Sequence, residues 1–125
     1  MPNSPEPPTL PATTTEPTPA QLRASAETFA LLASPVRLHL VWLITHGSYD
    51  VGTLAQRVGI GIATVSQHLS KLRLAGIVSG HRDGRRLFYT VDDPHVLTVV
   101  EQIFAHIAPD GTLAPDPPMP PRHER

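Results

Sequence analysis

Asp93, His95 and His106 are the side chains best suited to hold a metal ion. A carboxylate and two imidazoles are donors for Zn²⁺, Co²⁺ or Ni²⁺. His95 and His106 are eleven residues apart. On a helix that is about three turns, so both lie on one face but roughly 16 Å apart. One ion cannot bind both within one chain. If two copies of that helix pair antiparallel, His95 of one chain meets His106 of the other, and Asp93 adds an oxygen to each of two equivalent sites. The plain structural alternative is that Asp93 caps a helix and the two histidines are polar interface residues. The other five histidines need no special reading. His46 suits a helix C-terminus, His39 a helix surface, and His68 and His81 the basic half of the chain. There is no cysteine, which excludes disulfides, thiolate metal sites and a cysteine nucleophile.

A second constellation is basic and polar. The formal net charge is −1, yet residues 51–91 hold Arg57, Lys71, Arg73, Arg82, Arg85 and Arg86 against Asp83 alone. Segregated positive charge is what a phosphate-binding surface requires, although a solvated charged face looks the same by charge alone. Within this region Thr64, Gln67, Ser70 and Lys71 occupy one side of a helical pattern, with Ser66, His68 and Arg73 on its flanks. Side chains of this kind reach base edges and phosphates when a helix enters the major groove.

The elements that position these residues follow from periodicity and caps. A first helix is expected from about Pro19 to Leu32, with Leu22, Ala26, Phe29 and Ala30 at helical spacing. Ser34-Pro35 starts a second, apolar nearly all round and therefore central, which Gly47 ends. Asp50 caps a short third helix, and Gly59-Ile60-Gly61 turns the chain into a fourth. There Ile62, Val65, Leu69 and Leu72 form the buried stripe, and Gly76 closes the helix. Residues 77–82 and 86–91 read as two strands joined at Asp83-Gly84. Asp93-Pro94 opens a last helix whose apolar face includes Val96, Val99, Val100, Ile103, Phe104 and Ile107, and Pro109 ends it. Two short helices joined by a tight turn, followed by a basic hairpin, form a winged helix-turn-helix. The expected fold class is mainly α with a β-hairpin wing, with about five helices.

Residues 1–19 and 109–125 hold thirteen of the fifteen prolines, so both are expected to be disordered tails flanking one domain, 20–108. No apolar run approaches the roughly 20 residues that span a bilayer, and the N-terminus is not patterned as a signal peptide. A cytoplasmic protein without a membrane partner is expected. No nucleophile–base pair, phosphate-binding glycine loop or HExxH motif supports an enzyme.

The strings LLASPVRLHLVWLI and VGTLAQRVGIGIATVSQHLSKLRLAGIVSGHRDGRRLFYTVDDPHV resemble the ArsR/SmtB family of bacterial metal-responsive transcriptional repressors. The resemblance covers about residues 24–108. It implies a homodimer built on the first and last helices, repression by occupying operator DNA, and release when an inducer binds. Ser66 and Gln67 match positions that touch DNA in such repressors, whereas Ile62 and Ala63 depart from the more polar residues often found there. The expected DNA-binding set is Thr64, Ser66, Gln67, His68, Lys71, Arg73, Arg82, Arg85 and Arg86. Asp93, His95 and His106 match three of the four ligands of the family's last-helix metal sites. The fourth position falls on Pro109, which has no side-chain donor, so water, or a donor from elsewhere such as Glu101, Asp110, Asp116 or His123, would complete the set. The expected function is a repressor whose operator affinity falls when a divalent transition metal binds across the dimer. The alternative is a repressor of the same fold that responds to another signal or to none.

Overall fold

Side-chain caps mark where each helix begins. The computed structural model describes residues 15–115. Helix α1 (Pro19–Leu32) is opened by Thr18, whose hydroxyl accepts from the Gln21 N–H at 3.1 Å, while the Gln21 side chain accepts from the Thr18 N–H at 2.8 Å. This reciprocal capping box satisfies two otherwise orphaned donors. Ser34 caps α2 (Pro35–Thr45), and Asp50 caps α3 (Val51–Val58). Gly59, at φ 82°, supplies the left-handed residue that turns the chain toward α4 (Ile62–Leu74). Asp93 caps α5 (Pro94–His106).

The core gathers around α2. Leu40, Val41, Leu43 and Ile44 are buried there, with Leu54 from α3, Val65, Leu69 and Leu72 from α4, and Val100 from α5. The expected stripe on α4 is buried with one correction: Ile62 is 55% exposed. It is the first residue of the helix, directly after the N-cap Gly61. At the other end α4 closes in a Schellman motif. The Gly76 N–H reaches the Arg73 carbonyl and the Ile77 N–H the Leu72 carbonyl, with Ile77 and Leu72 both buried. Ile77 and Val78 are therefore committed to the helix end. Ladder pairing starts only at Ser79, two residues later than expected.

The sheet has three strands, where the sequence pattern predicts two. β2 (Ser79–Asp83) and β3 (Arg86–Thr90) form the expected hairpin, and β1 (Tyr49–Asp50) pairs antiparallel with the other side of β3. The hairpin loop is Gly84-Arg85, since Asp83 pairs with Arg86. Gly84 has φ 68° and Arg85 is not left-handed, as in a loop that needs glycine at its first central position.

Helix α2 ends at Thr45, with His46 as its C-cap and Gly47 next in the chain. Helix α5 stops at His106, and the backbone then reverses. Ala108 donates to Thr112, Ala114 donates to the His106 carbonyl, and Ile107 bridges Leu113. Backbone hydrogen bonding thus extends beyond residue 108 into the segment read as a tail, and the Thr18 cap lies within the other such segment. The remainder of both expected tails, residues 1–14 and 116–125, lies outside the described residues, as do Asp116 and His123. No single described helix is long and apolar enough to cross a membrane.

Candidate nucleic-acid interface

Helix α4 is seated by Val65, Leu69 and Leu72, each fully buried. That seating leaves Thr64, Gln67, Ser70 and Lys71 exposed on the opposite side, with Ser66 half-buried. The basic wing is connected to the same helix. Arg73 runs along β2: a methyl group placed on Gly80 would sit 3.4 Å from Arg73 Nη1 and 3.3 Å from Leu87 Cδ1. Gly80 is thus the residue that lets the α4 side chain lie against the wing. Arg82 and Arg85 are exposed at the hairpin tip. Arg86 is exposed as well, but its Nη1 lies 3.7 Å from Asp50 Oδ2. On the wing His81 stacks with Phe88, ring centroids 6.1 Å apart.

Asp50 has two jobs, of which the sequence reveals only the cap. Its Oδ1 accepts from the Thr53 N–H at 2.9 Å. Thr53, through side chain and backbone, holds this carboxyl below its ordinary range, and the Arg86 charge adds to the effect.

His68 is half-buried, and its Nδ1 lies 3.2 Å from Arg37 Nη1 on α2. Burial, followed by the charges of Arg37 and Lys71, holds this imidazole below the usual histidine value. Arg37 is absent from the sequence-derived site. It lies 31 residues from His68, and no local pattern points to it.

At the start of α5, Asp93 and His95 are adjacent. Asp93 Oδ1 accepts from the His95 N–H at 2.8 Å and lies 3.1 Å from its Nδ1. The backbone N–H is the main reason that the Asp93 carboxyl sits below its ordinary range. His106 is at the other end of the helix, exposed beside an apolar groove lined by Phe29, Leu32, Val99 and Ile103. Among the described residues no three His, Asp or Glu side chains converge within one chain. The structure therefore joins two of the proposed donors and separates the third, as the helical rise requires. The pair fits half of a divalent-metal site by donor chemistry. Of the further donors, Glu101 is exposed on α5, and Asp110 accepts from the Thr112 N–H and hydroxyl.

The apolar sides of α1 and α5 are open to solvent. Leu22 and Phe29 are 57% and 62% exposed, and Val99, Ile103 and Phe104 each exceed 40%.

The sequence profile of the bacterial regulatory protein, arsR family, matches residues 34–79. The chain is 36% identical over 105 residues to the HTH-type transcriptional repressor SmtB of Mycobacterium tuberculosis, covering 83% of this chain and 75% of that protein. It is 39% identical over 74 residues to the HTH-type transcriptional regulator KmtR of the same organism, covering 59% of this chain and spanning only 57% of that relative's length. Among solved structures, the homodimeric winged helix-turn-helix DNA-binding domain Mb0332 of Mycobacterium bovis superposes with a TM-score of 0.65. It shares 26% identity, over 74% of this chain and 85% of that one.

Proposed function

We propose, for a chain that belongs to the ArsR family of bacterial regulatory proteins, that it is a homodimeric transcriptional repressor reading operator DNA through α4 and its wing. One observation carries this reading. Thr64, Gln67 and Lys71 are exposed on a helix whose Val65, Leu69 and Leu72 are fully buried, and the exposed arginines Arg82 and Arg85 stand on the hairpin that follows it. In this reading Thr64, Ser66 and Gln67 meet base edges and Lys71, Arg73, Arg82 and Arg85 meet phosphates or the minor groove. Arg86 contributes charge while paired with Asp50, and His68 lies beside this set with its Nδ1 turned to Arg37. The exposed apolar sides of α1 and α5 support pairing of two chains through these helices, as does the homodimer of the related Mycobacterium bovis domain.

We further propose that Asp93 and His95, with the partner subunit's His106, hold a divalent transition metal across the dimer. When bound, the ion supplies a cross-link between the two last helices. Asp93 Oδ1 and His95 Nδ1 lie 3.1 Å apart, so two donors stand side by side on this end of α5. If ligation favours a dimer geometry other than the operator-binding one, linkage lowers DNA affinity. A second reading is a repressor of the same fold without metal control. It is favoured by the Asp93 contact to the His95 N–H, which makes this carboxylate a complete helix cap on its own.

The test is DNA binding by the purified protein to the DNA upstream of its own gene. Wild type and His95→Ala are compared, with and without Zn²⁺, Ni²⁺ and Co²⁺. Binding that weakens with metal in the wild type alone supports both parts. Binding indifferent to metal leaves the repressor and removes the sensor, and no binding removes the repressor.

A further inference from the structure

We infer that Arg37 is a positioning residue for the reading helix, tying the end of α1 to His68 on α4 and so setting how α4 is presented to DNA. The inference rests on the DNA-reading role proposed above. Arg37 contacts three elements at once. Its backbone N–H donates to the Ser34 hydroxyl that caps α2. Its Nε donates to the Leu31 carbonyl, in the last turn of α1, where helix carbonyls lack intrahelical partners. Its Nη1 faces His68 Nδ1 at 3.2 Å.

The chemistry of this contact has one direction. A guanidinium has five donors and no acceptor, so His68 Nδ1 accepts and the ring proton resides on Nε2. The neighbours in the helix, Val65 and Leu69, are fully buried, so a fixed His68 ring fixes the roll of α4 between its reading side and its core side. The charged groups facing the ring are Arg37 from α2 and Lys71 from α4. Both oppose protonation, as does burial, and the acceptor therefore persists at neutral pH. A proton on Nδ1 would remove the acceptor and place two cations in contact. Arg37 itself is half-buried and directs two of its nitrogens into the protein, unlike the exposed arginines of the wing. Because α1 is one of the two helices proposed to pair, Arg37 connects the dimer contact to the DNA contact.

The experiment is a titration of operator DNA at several salt concentrations with wild type, Arg37→Gln and Arg37→Lys, alongside thermal melts. Loss of a hydrogen bond to a charged group predicts about ten-fold weaker binding for both variants. Because Arg37 neutralises no phosphate in this arrangement, the salt slope stays that of the wild type. Wild-type affinity in Arg37→Gln overturns the inference. So does full recovery in Arg37→Lys, since charge alone would then suffice. A slope reduced by about 0.9 overturns it as well, because Arg37 would then meet a phosphate directly. If the wild type does not bind this DNA, the DNA-reading proposal fails first and takes the inference with it. A measurement independent of variant folding is nitrogen-15 NMR of the His68 ring in the wild type. An unprotonated Nδ1 at neutral pH supports the contact, and a protonated one overturns it.

Discussion

Arg86 Nη1 lies 3.7 Å from Asp50 Oδ2, so the carboxylate that starts the helix-turn-helix also holds the central strand of the wing. Asp50→Ala removes both contacts and is expected to lower the thermal midpoint, whereas Asp50→Asn retains the cap and removes only the ion pair. The folded state depresses the Asp50 pKa, so its contribution is complete above the ordinary carboxylate range and disappears as pH falls through the depressed value. Acid titration of unfolding should thus show a smaller pH dependence below neutrality in Asp50→Asn than in the wild type.

His68 shifts the pH profile at higher pH. Its folded-state pKa is lowered, so the unfolded chain binds the proton more readily. Stability attributable to His68 is then complete above the ordinary histidine value of about 6.5 and declines as pH falls through the lowered one. Melts between neutral and mildly acidic pH should show a steeper decline in the wild type than in His68→Phe.

The wing and the reading helix should fail in different ways. Arg82→Ala or Arg85→Ala is expected to weaken binding to all DNA sequences and to reduce the salt slope by about 0.9 for each phosphate no longer neutralised. Gln67→Ala should instead leave the slope intact and reduce discrimination between operator and unrelated DNA by about 1–3 kcal/mol. Titrations on both DNAs at several salt concentrations distinguish the two.

Truncating the seat of α4 tests the fold. Leu69 is fully buried, and Leu69→Ala is expected to cost about 2–5 kcal/mol in denaturant unfolding. Leu74, on the same helix but 90% exposed, should tolerate alanine within about 0.5 kcal/mol.

Charging the open apolar side should separate the proposed dimer without melting the domain. Phe29→Asp and Ile103→Asp place a carboxylate on exposed surface of one chain but within the contact of two. Sedimentation should report a folded monomer for each, and operator affinity should collapse with it.

Much of this architecture is legible in the sequence because its signals are local. Ser34-Pro35, Asp50 and Asp93-Pro94 announce helix starts with a side-chain oxygen, and each caps the helix it precedes. The buried stripe of α4 is legible from three-four spacing, except at Ile62, which is exposed. What escapes is contact between distant segments. A two-residue strand at Tyr49-Asp50 carries no alternation to detect, and its pairing with Tyr89 and Phe88 is decided across forty residues of chain. Arg37 escapes for the same reason. Of the proposed metal donors, the Asp93–His95 pair is legible because it is local. His106 can join it only through a symmetry that one chain does not contain.

The open sides of α1 and α5 have a consequence for how this protein responds to its own abundance. If Leu22, Phe29, Ile103 and Phe104 are covered only by a second chain, the DNA-binding species is formed by a two-body collision. Below the concentration at which pairs dissociate, operator occupancy then grows with the square of the number of chains rather than in proportion to it. A two-fold fall in synthesis would release an operator about four-fold at low occupancy. The hydrophobic face of two helices would thus act as a threshold on dosage.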